Sequence, residues 1–483
     1  MTSGLSYARA AFLSKGGNMT VYVYTEQDTS PRFFEAIKAI KADTGIEDSI
    51  VPVNARNVDF MAADKPVVVF GKVEDPEYKH MNNIYTYSPA QTLTKANAVT
   101  VVGTALKRAA GRLPDVAHGP REINLVMANA PTKHIADEVA ALVSASELVV
   151  DIEVSGNIKT GTPEDADVKL LTIAFYNPDT DRSVVFQGGW YGGNELEHVI
   201  CAVLTCYKGD LIWHNGKFDV RVLNRIMRDD IRVDHDTMLM HHVLNQAAGM
   251  HGLKDLCKLY FNAPEWEADA KKYTKGGGHY ENIPLELLAE YNGLDVYWTY
   301  QLYKLLKPQI EADENAQTAY ELELAASKFL LRVEQRGIPF DTAAAVKLAE
   351  ECEDVMLSER GIMQKLTNVK DFNPNSPKQV KEALEVVGYT VKGTAVDVLE
   401  ELREKLQDDE VAALFVDSLL RYRKYAKISS TYVRGWMNKA RDGVVHPTFL
   451  VHGTSTGRLS SSSPNAQNMQ RDKRVRAIVG LGD

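Results

Sequence analysis

The sequence predicts an α/β protein whose C-terminal part is mainly helical. Up to about residue 143, short β-rich runs such as MTVYVYT and KPVVVFG alternate with helical patterns, which is typical of an α/β domain. Residues 146 to 190 contain three strand-like runs broken by turn-forming residues, which predicts an antiparallel meander. From about Glu311 the helical period dominates. We therefore predict three domains, at residues 1–143, 144–308 and 309–483.

Composition and charge fit a folded protein without a membrane span. The 483 residues are 45% hydrophobic and 25% charged, and no apolar stretch reaches the roughly 18 to 20 residues that a membrane-spanning helix needs. The N-terminus lacks an apolar signal-peptide core, so a cytoplasmic location is expected. Four cysteines without CxxC spacing predict reduced thiols rather than a zinc site. No phosphate loop or catalytic cluster stands out in residues 1–143, whose role stays open.

Positive charge is concentrated in one stretch of an otherwise acidic chain. The net charge is −10, which argues against a protein that coats nucleic acid over its whole surface. Between Arg421 and Arg476, however, twelve Lys or Arg face two acids, Asp442 and Asp472. Such a stretch is either a solvated face or a surface that neutralises phosphates.

The run LVVDIEVSG, residues 148 to 156, places two carboxylates at the end of an apolar strand pattern. Asp151 and Glu153 are two residues apart, so in a strand both side chains face the same way. Two carboxylates this close repel each other unless a cation holds them. The pair alone is weak evidence of a metal site.

Two further segments add acids in a helical context. In HNGKFDVRVL a strand turns into a helix, which puts Asn215 near the helix cap and Asp219 in its first turn. In the long helical run LELLAEYNGLDVYWTYQLYKLL, Tyr291 and Asp295 are spaced i and i+4 and so share a helix face. Each feature has an ordinary structural explanation, but together they supply four carboxylates and a phenol.

The order D-x-E, N-x-x-F-D and Y-x-x-x-D resembles the tyrosine subclass of the DEDD 3′-5′ exonucleases, which have a ribonuclease-H-like fold. The resemblance implies that two magnesium ions, with manganese as an alternative, are held by four carboxylates: Asp151, Glu153, Asp219 and Asp295. It also implies that Tyr291 orients the attacking water and that Asn215 and Phe218 hold the terminal nucleotides. Many relatives carry Thr after the glutamate, where this chain has Val154.

Four later segments resemble, in order, the thumb and early palm of A-family DNA polymerases, the group of bacterial DNA polymerase I. They are ELELAASKFLLRVEQRGIPFD (321–341), FNPNSPKQVKEAL (372–384), YRKYAKISSTYV (422–433) and HPTFLVHGTSTGRLSSSSPNAQNMQR (446–471). The resemblance implies contacts to the minor groove at the primer end through Arg458, Asn465 and Gln467. It also implies contacts to backbone phosphates through Lys427, Ser429 and Ser430.

The family's polymerase aspartates and its fingers helix have no counterpart in the sequence, which ends KRVRAIVGLGD. We therefore expect a phage-type polymerase part that binds single-stranded 3′ ends and primer-template DNA for proofreading. The palm and fingers are expected on a second polypeptide, or lost by truncation. Two alternatives stay open: an RNA-trimming exonuclease of the ribonuclease D kind, and a non-catalytic DNA-binding subunit of a replication complex.

Overall fold

The computed structural model describes most of the chain from residue 119 onward and separate elements before it. The described residues are 20–24, 38, 49–53, 67–70, 83–86, 98–110, 119–156, 163–165, 168–188, 195–246, 251–275, 279–406, 408–454 and 456–480. They form two compact units. The first contains Met1–Lys159, Pro163–Arg332 and Leu450–Ser460, and the second contains Thr160–Thr162, Val333–Phe449 and Ser461–Asp483.

The first unit begins with a four-stranded parallel sheet. Its strands are β1 (Thr20–Tyr24), β2 (Ser49–Val53), β3 (Val67–Phe70) and β4 (Asn83–Thr86), in the order β2-β1-β3-β4. Helix α1 (Ala98–Ala109) follows in the sequence. Parallel strands need crossover connections, so this sheet fits the predicted α/β class.

A six-stranded mixed sheet forms the centre of the first unit, in the order β10-β9-β6-β7-β8-β5. The strands are β5 (Glu122–Val126), β6 (Glu147–Val154), β7 (Leu170–Asn177), β8 (Arg182–Gln187), β9 (Asp210–Trp213) and β10 (His235–Asp236). Strands β6, β7 and β8 pair antiparallel, which confirms the predicted meander. Most residues of β6 and β7 are buried, as expected for strands covered on both faces.

Strand β5 lies elsewhere than its position in the sequence suggests. The sequence pattern places EINLV in the N-terminal α/β region, whereas the structure pairs it parallel with β8, from Glu122↔Arg182 to Val126↔Phe186. The side chains of Glu122 and Arg182 also form an ion pair at 2.8 Å. Periodicity identifies a strand but does not say which sheet it joins. The bounds of the three domains remain a prediction.

The helices of the first unit pack around this sheet. They are α2 (Thr132–Val143), α3 (Glu195–Cys206), α4 (Gly216–Met227), α5 (Thr237–Leu244), α6 (Leu253–Phe261), α7 (Ala268–Thr274) and α8 (Leu285–Glu311). Helix α8 contacts β6, β7 and β8 and buries its central residues there. Helix α9 (Glu314–Arg336) follows it in the chain.

The second unit is mainly helical, as the sequence predicts for this part of the chain. It contains α10 (Thr342–Thr367), α11 (Pro377–Val386), α12 (Val396–Lys405), α13 (Glu410–Lys427), a π-helical segment (Ile428–Arg434), α14 (Gly435–Met437) and α15 (Lys473–Ala477). Short strands are β11 (Ile338–Pro339), β12 (Val444–Val445), β13 (Thr448–Leu450) and β14 (Ser460–Ser462). Two apolar cores, centred on Phe415 and Trp436, stabilise it.

Among the residues that the structure describes, none of the helices combines the length and the apolar character needed to cross a bilayer. The mixed α/β architecture predicted from the sequence is confirmed.

Candidate functional site

Strand β6 presents the first two predicted carboxylates on one face of the central sheet. Asp151 is paired with Ala174 and Glu153 with Thr172 on β7. The ladder register shifts between Glu153 and Val154, at the end of the strand. Because side chains alternate along a strand, Asp151 and Glu153 project together, as the sequence predicts.

Helix α8 brings a third carboxylate to the same point. Ligand atoms of Asp151, Glu153 and Asp295 lie within 4.8 Å of one another, so these residues form one carboxylate group. Asp295 is 3% exposed, and Asp151 and Asp295 are far apart in the chain. Packing of α8 on β6 and β7 therefore creates the group, which no local segment contains.

The structure places Asp219 beside this group rather than within it. Asp219 lies in the first turn of α4, where the positive end of the helix dipole favours a carboxylate. Its Oδ1 accepts a hydrogen bond of 3.2 Å from the backbone N–H of Ile152, between Asp151 and Glu153. Its charge also raises the pKa of Asp151. Asp219 is thus a neighbour of the carboxylate group that interacts with Asp151 electrostatically.

Burial and mutual repulsion perturb all four acids. Burial is the main cause that raises the pKa values of Asp151 and Glu153 well above their usual range, and the neighbouring carboxylates add to it. Burial raises the pKa of Asp219 to about 8, against the opposing effect of its backbone hydrogen bonds. Burial also raises the pKa of Asp295. Negative charge at this position is therefore costly without a cation.

One ammonium group already compensates part of this charge. Lys254 Nζ lies 2.5 Å from Asp295 Oδ2 and 4.6 Å from the centroid of the Tyr291 ring. Burial alone would lower the pKa of Lys254, but Asp295, Asp151 and Glu153 raise it. The charged form of Lys254 is thus held at the edge of the carboxylate group.

Two further side chains orient the carboxylates. Trp266 Nε1 donates to Asp295 Oδ1 at 2.6 Å. Asn292 Nδ2 donates to Asp151 Oδ2 at 2.7 Å, and Thr172 Oγ1 donates to Asn292 Oδ1 at 2.9 Å. Asp151 is thus held through Oδ2, whereas both oxygen atoms of Asp295 have a partner, Oδ1 in Trp266 and Oδ2 in Lys254. Sequence reasoning missed Lys254, Trp266 and Asn292 as site residues.

Tyr291 lies one helical turn before Asp295 on α8, as its spacing predicts. It is 6% exposed, and its hydroxyl forms a hydrogen bond with Asp295. Burial, followed by the charges of Asp295 and Glu153, raises the pKa of the phenol far above its usual range. The hydroxyl group therefore keeps its proton and acts as a hydrogen-bond donor next to the carboxylate group.

Asn215 and Phe218 lie where the sequence predicts them, at the start of α4. Asn215 is the N-cap residue, in the left-handed region with φ of 60°, and its side chain makes no capping hydrogen bond. Its backbone N–H donates to Asp236 Oδ1 at 3.1 Å. Phe218 is half-buried. Neither residue belongs to the carboxylate group, and their contacts to nucleotides remain a prediction.

The predicted nucleic-acid contacts differ in accessibility. Lys427 at the end of α13 and Ser430 in the π-helical segment are exposed, whereas Ser429 is buried. Asn465 and Gln467 are exposed, but Asn465 Oδ1 accepts from the backbone N–H of Gln467 at 3.0 Å. The Asn465 carbonyl oxygen is thus already used to stabilise its own loop.

Arg458 belongs to the part of the chain that joins the first unit, Leu450–Ser460. It is exposed. Its backbone oxygen accepts a hydrogen bond of 2.7 Å from Thr454 Oγ1. The side chain is thus accessible to a ligand, as the predicted contact requires.

The carboxylate group has the chemistry of a divalent-cation site. All three members supply oxygen atoms, which are the ligands that Mg²⁺ and Mn²⁺ prefer. The raised pKa values of Asp151 and Glu153 indicate negative charge that the protein alone does not compensate. A cation at this point would offset that repulsion, so the residues fit a metal.

Two family models match the chain. Residues 172–311 match the model described as 3′-5′ exonuclease, a family that generally uses divalent metals, and residues 343–480 match that of DNA polymerase family A. The first range includes Asp219, Tyr291 and Asp295 and begins after Asp151 and Glu153.

Relatives agree with these matches. The chain is 30% identical over 303 residues to a DNA polymerase of Escherichia phage T5, which covers 56% of this chain and 35% of that protein. It is 36% identical over 259 residues to DNA polymerase I of Caldicellulosiruptor bescii, which covers 51% of this chain and 27% of that protein. The chain thus spans about a third or less of the length of these relatives.

A solved structure has a similar fold. It is the POL domain of Pol1 from M. smegmatis in complex with DNA primer-template and dNTP, with a TM-score of 0.57 and 22% identity, covering 74% of this chain and 58% of that one. With the two family matches in this order along the sequence, the chain is similar to A-family DNA polymerases over a 3′-5′ exonuclease region and part of the polymerase region.

Proposed function

We propose that this chain is a 3′-5′ exodeoxyribonuclease that removes terminal nucleotides from DNA 3′ ends with two magnesium ions. The observation that carries the proposal is the meeting of Asp151, Glu153 and Asp295 within 4.8 Å, from elements distant in the sequence. Manganese is an alternative cation, since both ions prefer oxygen ligands.

The proposed roles follow from the contacts of each side chain. Asp151, Glu153 and Asp295 would hold the cations, with Asp219 as a further ligand from the side of α4. Bound divalent cations would activate a water and stabilise the charge that develops on the phosphate oxygens. The Tyr291 hydroxyl, which keeps its proton, would orient the attacking water.

Neighbouring residues hold this arrangement in place. Asn292 fixes the orientation of the Asp151 carboxylate through a hydrogen bond of 2.7 Å. Trp266 does the same for Asp295 at 2.6 Å. Lys254 compensates charge on Asp295, and its ammonium group would also attract a terminal phosphate.

The match of residues 343–480 to DNA polymerase family A supports DNA as the substrate and proofreading as the purpose. Exposed Arg458 and Lys427 would bind primer-template DNA, together with Asn465, Gln467 and Ser430. Ser429 is buried, so it would contact a phosphate only through its backbone or after a local rearrangement.

Degradation of a labelled single-stranded DNA tests the proposal. The variant with Asp151→Ala and Glu153→Ala should lose magnesium-dependent shortening from the 3′ end, while Asp137→Ala should retain it. Asp137 is a matched control because it is an exposed acid on α2, paired only with Lys133 at 2.7 Å among its described contacts. If the wild type and the double variant had equal activity, the proposed exonuclease function of this site would be refuted.

The same assay separates the alternatives. Faster degradation of RNA than of DNA would favour an RNA-trimming exonuclease of the ribonuclease D kind. DNA binding without degradation by the wild-type protein, with either cation, would favour a non-catalytic DNA-binding subunit.

Two predictions from the sequence concern the setting of the protein. One is a second polypeptide that carries the polymerase palm and fingers, and co-purification from the native host with mass spectrometry tests it. The other is a cytoplasmic location, which is the host cytoplasm for a phage-encoded protein. Cell fractionation tests the location.

A further inference from the structure

A cluster of five histidines lies in the first unit and shares no member with the carboxylate group. Its members are His214, His241, His242, His251 and His452. His241, His242 and His251 are buried. His241 Nδ1 and His251 Nδ1 lie 2.9 Å apart, and the ring of His452 lies 6.5 Å from that of His242. Residues from α5, from the start of α6 and from Leu450–Ser460 thus meet in one place.

His242 differs from the other four in its hydrogen-bond partners. Its Nδ1 lies 2.8 and 3.0 Å from the two carboxylate oxygens of Glu323, and its Nε2 lies 3.4 Å from the backbone oxygen of Thr454. Both partners are acceptors only. A neutral imidazole has one N–H, so the ring can donate to both partners only in its doubly protonated form.

The contact to Thr454 acts on the segment that carries Arg458. The Thr454 hydroxyl donates to the Arg458 backbone oxygen at 2.7 Å, which closes a turn. Gly457 within it has a φ of +71°, a conformation that other residues rarely adopt. The segment Leu450–Ser460 is therefore held to the rest of the first unit through His242 and through the ring contacts of His452.

The other four histidines of the cluster are neutral near pH 7. Burial lowers the pKa of His241 to about 3 and of His251 and His452 to about 4, with repulsion from His242 adding to the effect. Burial also lowers the pKa of His214 to about 3.

Other polar groups complete the surroundings of the cluster. Tyr260 on α6 lies 3.1 Å from His241 Nε2. The positive charge of Lys217 on α4 acts on His452, and that of Lys254 acts on His214. Glu323 is thus the anion that faces His242, among the residues that the structure describes.

We propose that His242, paired with Glu323, is a positioning residue that clamps the Leu450–Ser460 segment onto the exonuclease region and so holds Arg458 in place for DNA. The clamp itself rests on the contacts given above. The statement about DNA rests on the proposed function, in which Arg458 binds the primer end. Protonation of His242 strengthens the clamp, because only then do both ring nitrogens donate.

Amide hydrogen exchange of the full chain tests the clamp without any nucleic acid. In the wild type, amides in 450–460 should be protected well above the level of an unstructured chain once exchange is corrected for intrinsic rates. In His242→Phe, which keeps ring volume, this protection should fall about tenfold or more. That factor corresponds to one hydrogen bond to a charged group.

Two further variants sharpen the result. In Glu323→Gln the protection of 450–460 should fall as well, because the carboxylate that pairs with His242 Nδ1 is gone. His134→Phe on α2 should behave as the wild type, and exchange in β6, β7 and β8 should be unchanged in every variant. Equal protection of 450–460 in the wild type and His242→Phe would overturn the proposal.

A double-mutant cycle on primer-template affinity, measured with EDTA so that nothing is hydrolysed, tests the action through Arg458. His242→Phe should weaken binding, and the variant that also carries Arg458→Ala should bind no more weakly than Arg458→Ala alone. Additive losses would overturn positioning through Arg458. A different outcome is that His242→Phe loses the protection of 450–460 while Arg458→Ala binds DNA with wild-type affinity. This would refute the proposed DNA role of Arg458 and leave the clamp supported.

Discussion

The carboxylate group and the histidine cluster are two answers to the same physical problem within one compact unit. Both bury ionisable side chains, and in both burial is the main cause of the pKa shifts, which go in opposite directions. Burial raises the pKa of Asp219 to about 8, and it lowers the pKa of His241 to about 3. Burial penalises whichever form is charged, so acids retain protons and imidazoles lose them.

The two regions also differ in what compensates the remaining charge. In the histidine cluster, Glu323 of the same chain faces His242 at 2.8 Å, so the charge is balanced internally. In the carboxylate group, Lys254 pairs with Asp295 and offsets the charge of Asp151 and Glu153 only in part, so the pKa values of both stay raised. The first region is therefore suited to holding structure, and the second to accepting a cation.

The largest expected effect distinguishes the two regions by activity. Asp295→Asn should lower the rate of single-stranded DNA degradation by more than the roughly 10–100-fold that loss of a supporting contact costs, because it removes a proposed ligand. His242→Phe should leave this rate within a few-fold of the wild type at saturating DNA, where weaker binding no longer limits the rate. The measurement is the initial rate at saturating magnesium. If His242→Phe lost as much activity as Asp295→Asn, the different roles proposed for the two regions would be contradicted.

A smaller effect is expected where the carboxylate group is compensated internally. Lys254→Met should lower the same rate by roughly 10–100-fold, since Lys254 supports Asp295 without being a proposed ligand. Lys254→Arg, which keeps the charge, should recover part of the loss.

Urea unfolding in EDTA provides the second readout for Lys254. The Lys254→Met variant should be less stable than the wild type, and added magnesium should narrow the difference, because a cation replaces the missing charge. Lys258→Met on the same helix is the control, since Lys258 forms an exposed pair with Glu265 at 3.3 Å. A magnesium-independent difference would mean that Lys254 acts through packing.

The histidine cluster should make the protein sensitive to acid. Four of its members have folded-state pKa values of about 3 to 4, and an unfolded histidine has about 6.5. The unfolded chain thus binds more protons, so their stabilisation is present above pH about 6.5 and is lost as the pH falls below it. His452→Gln should reduce the proton uptake on unfolding near pH 5 by about one proton. Denaturant unfolding at several pH values measures this.

Asp219, beside the carboxylate group, should produce the opposite slope at higher pH. Asp219 has a folded-state pKa of about 8 and an unfolded value of about 3.9. The folded protein therefore binds the extra proton, and without metal its stability falls as the pH rises from about 4 to about 8. Asp219→Asn should flatten this slope by about one proton, and magnesium should do the same in the wild type. If neither Asp219→Asn nor magnesium changed the slope of stability against pH, the proposed uncompensated charge at Asp219 would be refuted.

Local spacing in the sequence anticipated those parts of the site that lie on one element. The i, i+2 spacing of Asp151 and Glu153 on β6 and the i, i+4 spacing of Tyr291 and Asp295 on α8 both hold in the structure. The order of the motifs along the chain, which resembles that of the DEDD exonucleases, predicts that these two elements contribute to one site. The mixed α/β class and the antiparallel meander were predictable for the same reason.

Contacts between distant elements could not be read from periodicity. Lys254 looks like an ordinary exposed lysine in LKDLCKLYF, and only the fold brings its Nζ to Asp295. The histidines of the cluster are scattered from residue 214 to residue 452, without metal-ligand spacing. Strand β5 carries a strand pattern that does not reveal its partner β8. In each case packing between distant segments determines which residues are neighbours, and the local sequence pattern carries no information about it.

Strand β5 has a practical consequence for anyone who wants a minimal nuclease. Gly293 lies between Tyr291 and Asp295, and a methyl group added there would come within 2.7 Å of Ile123 Cγ2 on β5. Ser183 Oγ on β8 also donates to the Gly293 backbone oxygen at 2.8 Å. A shortened protein beginning at residue 144 would therefore lack one of the two surfaces against which the α8 backbone is seated. A shortened protein should therefore begin before Glu122, so that β5 still supports the part of α8 that carries Tyr291 and Asp295.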